Sequence, residues 1–480
     1  MSARLSDEAE ERGRLALQRM ERSLVRAHRA RPGKLSTSGY AGLRYALGLA
    51  RLHVLPRDGH AAIELSQAPI RSLRDWLLNH LHDALRSPAT DDEKLAYARD
   101  AAGQATARAH EARSALLAAH ADQFSPAMLD HEIAHRALVI VAGGGGGAGY
   151  VYAGAFACLD DAGLVPDYIV GNSMGAILGL MRAEKRHAGL NDHVTFAAKL
   201  RNRDLFSVAR RRAEFGMPGL LHLHLSALHQ RLSVGEFKRP LRLDEMEIPL
   251  DLVVAGLKQE PYERLVPTTM GHEGAAARFL PLPVRVAARL SRLTTFFRPD
   301  MVEPIVLGRS ARTRGVHAVD AAGFSAAVPS ILQYEPSPRA GVTREIFAEL
   351  MHDHRLAALV DGGIADNVPA RAAWRGVAAG RATTRNAYYL AFDCFLPHLD
   401  PKNAWLWPIT QLVQGQMRTN RVYADTMVRF YRALSPVNLV PGVDGLRLAV
   451  EWGYQTMQDQ LTEVTAMLEP VDLTAAGVTS

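Results

Sequence analysis

Apolar residues recur along this chain in two distinct rhythms. Up to about residue 130 they return at three- and four-residue intervals among arginine, glutamate and alanine, the period of helices with one buried face. Leu73, Trp76, Leu77 and Leu81 keep that spacing through 70–85, which makes Trp76 a core residue. The charges crowded into 8–29 read as a solvated helix face, ended by Pro32 and Gly33, with a loop over 34–39. Thr90, Asp91, Asp92 and Glu93 have the form of a capping box opening an alanine-rich helix to about Ala121. The expectation for 1–130 is a wholly helical region without internal repeats.

From Ala137 the rhythm changes to short blocks of branched apolar residues separated by helix-like segments, the pattern of a sheet covered by helices. Residues 137–142, 168–170, 248–255, 356–360 and 387–395 each read as a buried strand, with Pro249 tolerated near a strand start. After that, Ile409, Leu412, Val413 and Met417 return to helical spacing beside Trp405 and Trp407, a stripe that suits a core or a membrane interface. The remainder to about Leu468 is expected to be helical, broken near Ser435, Pro436, Pro441 and Gly442. The expected division is 1–130 as a helical region, 136–396 as an α/β domain and 397–480 as a helical extension packing on it.

The chemistry sits at the ends of three of these strands. The first opens into five glycines at 143–147, then Ala148 and Gly149. Such a loop bares backbone N–H groups beside a helix N-terminus and cradles an anion or oxyanion. The second feeds Gly171, Asn172, Ser173, Met174 and Gly175, the G-x-S-x-G of a nucleophile elbow, with a helix starting near Met174. The third, 356–360, ends in Asp361, Gly362 and Gly363, with Asn367 and Pro369 beyond. A carboxylate at the carboxyl end of a strand points into the crevice where such sheets carry their sites.

In this order and spacing the three elements resemble the patatin-like phospholipases, acyl-ester hydrolases that use a Ser-Asp dyad. The resemblance covers about 136–395 and includes the small-residue helix 319–330 that precedes the acid in that family. It implies a three-layer sandwich with a mostly parallel central sheet flanked by helices. It places the nucleophile at Ser173, the acid at Asp361, and the oxyanion hole in Gly144, Gly145, Gly146, Gly147 and Gly149. Gly171 and Gly175 become the elbow glycines, and Gly362 and Gly363 complete the acid motif. Ala148 stands where the family carries a basic residue, but the loop's N–H donors do not depend on that side chain. The implied activity is hydrolysis of lipid acyl esters, phospholipase A or lysophospholipase-like, with no cofactor and no metal.

Other readings of the same residues make different demands. Gly144, Gly146 and Gly149 also satisfy G-x-G-x-x-G, but a dinucleotide site needs an acidic residue after the next strand, and the nearest, Asp167, precedes it. His222 and His224 alternate with Leu221, Leu223 and Leu225 and would share a strand face, without a third metal ligand at a recognisable spacing. A Ser-His-Asp triad would need a histidine after the acid, and His398 is the one that follows Asp361. A catalytically idle lipid-binding or scaffolding protein is the rival from outside enzymology. Arg210, Arg211 and Arg212 read as solvent-facing or as a headgroup contact, and 279–299, with Phe296 and Phe297, as an amphipathic cover or a packed surface helix.

Composition narrows the setting. Hydrophobic residues at 48% and charged residues at 22% of 480 are those of a soluble globular chain with ample core. Cys158 and Cys394 alone give no disulfide framework and read as buried thiols of a reducing compartment. The first ten residues hold no apolar signal region, and no run approaches a bilayer-spanning length. The expected location is therefore cytoplasmic, with peripheral membrane contact compatible with a formal charge of +6. No nucleic-acid-binding module is legible.

Overall fold

The computed structural model describes residues 2–56, 62–86, 88–187, 190–209, 213–235, 238–269, 296–298, 300–396 and 407–478. They form two compact units. One comprises Met1–Leu138, Arg375–Tyr389 and Leu461–Ser480, the other Val139–Trp374 and Leu390–Gln460.

The first unit is built on helices α1 (Ser2–Ala30), α2 (Thr37–Arg51), α3 (Gln67–Arg86), α4 (Asp91–Ala119) and α5 (Pro126–Ala134). The Thr90 capping box forms in full, with Thr90 Oγ1 accepting from the Glu93 N–H and Glu93 accepting from the Thr90 N–H. Ala98, Ala102, Ala105, Ala109 and Ala112 make a buried stripe of small side chains on α4, against which α2 packs. The expectation of a wholly helical region is corrected in one place. Val54–Leu55 and Ile63–Glu64 pair as a short antiparallel ladder, because Leu55, Ile63 and Leu65 bury alternate positions. In this unit, Glu21 accepts from Arg44, Arg51 and Arg136; Glu21, Arg44 and Arg136 are buried and Arg51 is half-buried. Burial alone would raise the Glu21 carboxyl, but the three guanidinium charges reverse this and hold it well below the usual carboxylate range.

The main sheet lies mostly in the second unit. Its strands are β1 (Ala137–Ala142), β2 (Tyr168–Gly171), β3 (Leu250–Lys258), β4 (Val302–Leu307), β5 (Leu356–Asp361), β6 (Ala387–Asp393) and β7 (Thr426–Arg429). They lie in the order β4-β3-β2-β1-β6-β7, with β5 also paired to β3, making seven strands. The pairs β1–β2, β2–β3 and β6–β7 are parallel, while β4 and β5 run antiparallel to β3. The helices include α6 (Val151–Asp161), α7 (Ser173–Ala183), α8 (Ala318–Ser325) and α9 (Gly341–Asp353), followed by α10 (Trp407–Asn420) and α11 (Val443–Leu468). This is the expected mostly parallel sheet flanked by helices. The strand expected over 248–255 starts only after Pro249 and runs on to Lys258. Strand β7 corrects the expectation of helix throughout the last eighty residues. Its four residues are too few to show a period by themselves, and pairing with β6 is what makes them a strand.

One strand sets the geometry of the site. The leading part of β3 pairs in parallel with β2, Gly171 opposite Leu252, while its trailing part pairs antiparallel with β5, Asp361 opposite Val254. Because β4 occupies the other edge over Leu252–Leu257, β2 and β5 lie end to end along the same edge of β3. Their carboxyl ends therefore converge.

Candidate active site

Strand β2 ends at Gly171, and the chain turns into α7 within two residues. Ser173 makes the turn with φ +49°, a left-handed conformation rare outside glycine, which costs a non-glycine residue on the order of 1–3 kcal/mol. The flanking glycines are required by proximity. A Cβ on Gly175 would lie 2.2 Å from the Ala142 carbonyl oxygen, and one on Gly171 would lie 2.6 Å from that of Gly175. The Ser173 N–H donates to Ser325 Oγ at 3.0 Å, and that hydroxyl donates in turn to the Val253 carbonyl at 2.6 Å. Ser325 thus links the elbow to β3, the strand along which the acid also lies.

At the facing end, Asp361 closes β5 and the chain continues as a single 3₁₀ turn, Gly362–Ile364. Ser173 Oγ donates to Asp361 Oδ2 at 2.7 Å, and the Gly363 N–H donates to Asp361 Oδ1 at 2.8 Å. Gly362 passes so close to β3 that a Cβ would sit 2.1 Å from the Val253 carbonyl oxygen. Both Ser173 and Asp361 are buried. Burial pushes the Asp361 carboxyl up to about 6, against the lowering effect of the Ser173 and Gly363 bonds.

The glycine loop after β1 stands beside this pair, and its N–H groups divide into two sets. Those of Gly143, Gly144 and Gly147 are spent on the carbonyls of Phe392, Asn367 and Pro436, at 3.1, 3.0 and 2.9 Å. Gly145 and Gly146 line the same cavity as Ser173 and Asp361. Gly149 makes room for the elbow, since a Cβ there would lie 2.5 Å from Met174 Cγ. Ala148, in the place of a basic residue, is fully buried.

The family model described as patatin-like phospholipase matches residues 140–374, a span that holds the loop, the elbow and the acid turn. Residues 140–374 thus form a domain of the patatin-like phospholipase family. This is a family of lipid acyl-ester hydrolases. No curated protein matches the chain.

Around the patatin-like pair opens a cavity of about 540 Å³, within the range of small-molecule sites. Its lining includes Met174, Ile177, Leu178 and Met181 of α7, with Leu221, Leu223, Phe395 and Val413. Part of the wall comes from residues 436–440, beyond the family match. They are anchored on the glycine loop by the Gly147 bond to Pro436 and by Tyr150 Oη donating to the Leu439 carbonyl at 2.9 Å.

Several residues that hold the site together carry no signal in the sequence. Asn172, between the first elbow glycine and the nucleophile, donates through Nδ2 to the Asp366 carbonyl at 2.5 Å. Asp366 is itself buried, and desolvation pushes its carboxyl up to about 8, despite bonds from the Asn420 side chain and the Val368 N–H. Asn367, which the sequence marks by its position after the acid motif, accepts from the Gly144 N–H through its backbone carbonyl at 3.0 Å. Ser325 falls in the small-residue helix, where its own part was not legible.

The remaining candidates fall elsewhere. His222 and His224 stand ring to ring at 4.5 Å, with His224 beyond the end of its strand, Leu221–Leu223, and bonded to Ser207. Among the described residues no cluster of three or more histidine, cysteine or acidic side chains could hold a metal. His398, Arg210 to Arg212, Trp405 and the stretch 279–295 lie outside the described residues. Cys158 and Cys394 are buried free thiols, and among the described residues no helix is long and apolar enough to cross a membrane.

Proposed function

We propose that the protein hydrolyses lipid acyl esters through a Ser173–Asp361 dyad. The observation that carries this reading is the 2.7 Å bond from Ser173 Oγ to a buried carboxylate at the mouth of an apolar cavity. Asp361 takes the hydroxyl proton as Oγ bonds to the ester carbonyl carbon. The carbonyl oxygen becomes an oxyanion, held by the N–H groups of Gly145 and Gly146 and the N-terminus of α7. Collapse breaks the ester C–O bond, and the departing alkoxide takes the proton from Asp361. Water then gives its proton to Asp361, attacks the acyl-serine and releases a fatty acid, the proton returning to Ser173.

The environment suits a dyad without an imidazole. An ordinary aspartate is a poor base for a serine hydroxyl. Raised to about 6, Asp361 accepts the proton more readily, yet remains about nine-tenths ionised near pH 7. The cavity accommodates the hydrocarbon of an acyl chain, while each oxyanion donor of this type contributes roughly 10²–10³ in rate.

Labelling with a fluorophosphonate probe, with the modified peptide mapped, tests the reading. Label is expected on Ser173 in the wild type and in His398→Ala, and is expected to vanish in Ser173→Ala and Asp361→Asn with unchanged circular dichroism. Label that survives in Asp361→Asn but disappears in His398→Ala would replace the dyad with a triad.

A further inference from the structure

Large apolar side chains exposed to solvent are concentrated in one part of the described chain. Leu412, Val422, Tyr431, Val437, Val443 and Leu448 all fall within residues 412–448. The same stretch contributes Val413, Leu439 and Leu446 to the cavity wall. Val437 does both, lining the cavity while 52% exposed. Apolar surface therefore continues from solvent into the space beside Ser173.

Charge accompanies it. The stretch holds five arginines against two aspartates, Asp425 and Asp444, and Asp425 is buried. Arg418, Arg421, Arg432 and Arg447 are exposed, and none forms an ion pair among the described residues. Exposed aliphatic and tyrosine side chains among unpaired arginines match a bilayer with anionic headgroups, which attract the guanidinium groups while the hydrocarbon receives the apolar tips. A protein partner seated on the same residues would stopper the cavity. A lipid surface instead supplies what the cavity is shaped to take.

We propose that the face formed by residues 412–448 docks the protein on an anionic lipid bilayer, and that acyl chains pass over Val437 into the cavity. The docking stands on the surface alone, whereas the passage of a substrate rests on the reading of Ser173 and Asp361 given above. The bonds from Gly147 to Pro436 and from Tyr150 to Leu439 seat this rim directly on the glycine loop, so a docked rim holds the cavity mouth at the membrane.

The test uses the full chain carrying Ser173→Ala, so that vesicles are not consumed, sedimented with phosphatidylcholine vesicles with and without phosphatidylserine. Binding is expected with phosphatidylserine and to weaken with salt. The pair Tyr431→Asp/Val443→Asp is expected to reduce partitioning at least about ten-fold, and Arg432→Glu/Arg447→Glu to remove most of the preference for phosphatidylserine. With Ser173 restored, both pairs are expected to hydrolyse a water-soluble short-chain ester as the wild type does. Failure of the parent to bind phosphatidylserine vesicles, or equal binding by both pairs, overturns the docking face. So does loss of soluble-ester hydrolysis in the pairs, or light scattering that shows them breaking a dimer. If no ester is hydrolysed by any protein yet the pairs still lose vesicle binding, the docking face stands and the dyad reading falls.

Discussion

The side-chain amide of Asn172 donates to the backbone carbonyl of Asp366 at 2.5 Å, in a part of the protein closed to water. The residue before Ser173 thereby holds the far end of the turn that begins at Asp361. Replacing it with alanine leaves the Asp366 carbonyl without this donor and frees the two strand ends to drift. Because misplacement on the order of 1 Å costs about 10²-fold, Asn172→Ala is expected to lower kcat by roughly 10- to 100-fold with little change in KM. Steady-state kinetics on a soluble ester check it, and an unchanged kcat would show that β3 alone fixes the geometry.

Two acids of one turn are expected to behave in opposite ways. Asp361, raised to about 6 by burial, must be ionised to accept the serine proton. The rate kcat/KM is therefore expected to fall about ten-fold per pH unit below about 6 and to level off above it. Asp366, raised to about 8 by burial, is mostly protonated at pH 7 and already resembles an amide. Asp361→Asn is expected to cost about 10²–10⁴ in kcat, and Asp366→Asn less than about five-fold. Parallel pH–rate profiles of the two variants check the assignment.

The same carboxylate is a stability cost. A folded pKa of about 6 against an ordinary 3.8 means that the native state holds its proton more tightly than the unfolded chain. Stability from this group is thus fully present below about pH 4, declines as pH rises to about 6, and stays lower beyond. The difference amounts to roughly 3 kcal/mol. Asp361→Asn is expected to be more stable than wild type at pH 7, with the gap closing near pH 4. Ser173→Gly is expected to add about 1 kcal/mol by relieving the left-handed φ, again without activity. Thermal unfolding at the two pH values measures both.

In the helical unit, Glu21 is the carboxylate that Arg44, Arg51 and Arg136 share. Glu21→Gln leaves three guanidinium groups, two of them buried, without their counter-charge, and a loss of about 3–5 kcal/mol is expected. The sign with pH is opposite to that of Asp361. Glu21 is held below its ordinary range, so its contribution is present at neutral pH and lost as acid protonates it. Denaturant unfolding is expected to show the gap between Glu21→Gln and wild type shrinking towards low pH.

The chain itself determined the strands that end in glycine, the elbow at Ser173 and the acid at Asp361, because each is a local pattern. A branched apolar run followed by glycine can be read from neighbouring residues. The Thr90 cap was legible for the same reason. What the sequence could not determine was how far apart the three motifs lie. Ser173 and Asp361 meet because β2 and β5 run from opposite directions along one edge of β3, and the direction of a strand is set by its partner. Tertiary structure also decided that Gly144 and Gly147 spend their N–H groups on Asn367 and Pro436, which leaves Gly145 and Gly146 at the cavity. It brought Ser325 under the nucleophile and residues 436–440 over the glycine loop. These contacts join positions more than a hundred residues apart, and a hydrogen bond between such positions leaves no period in the sequence to find.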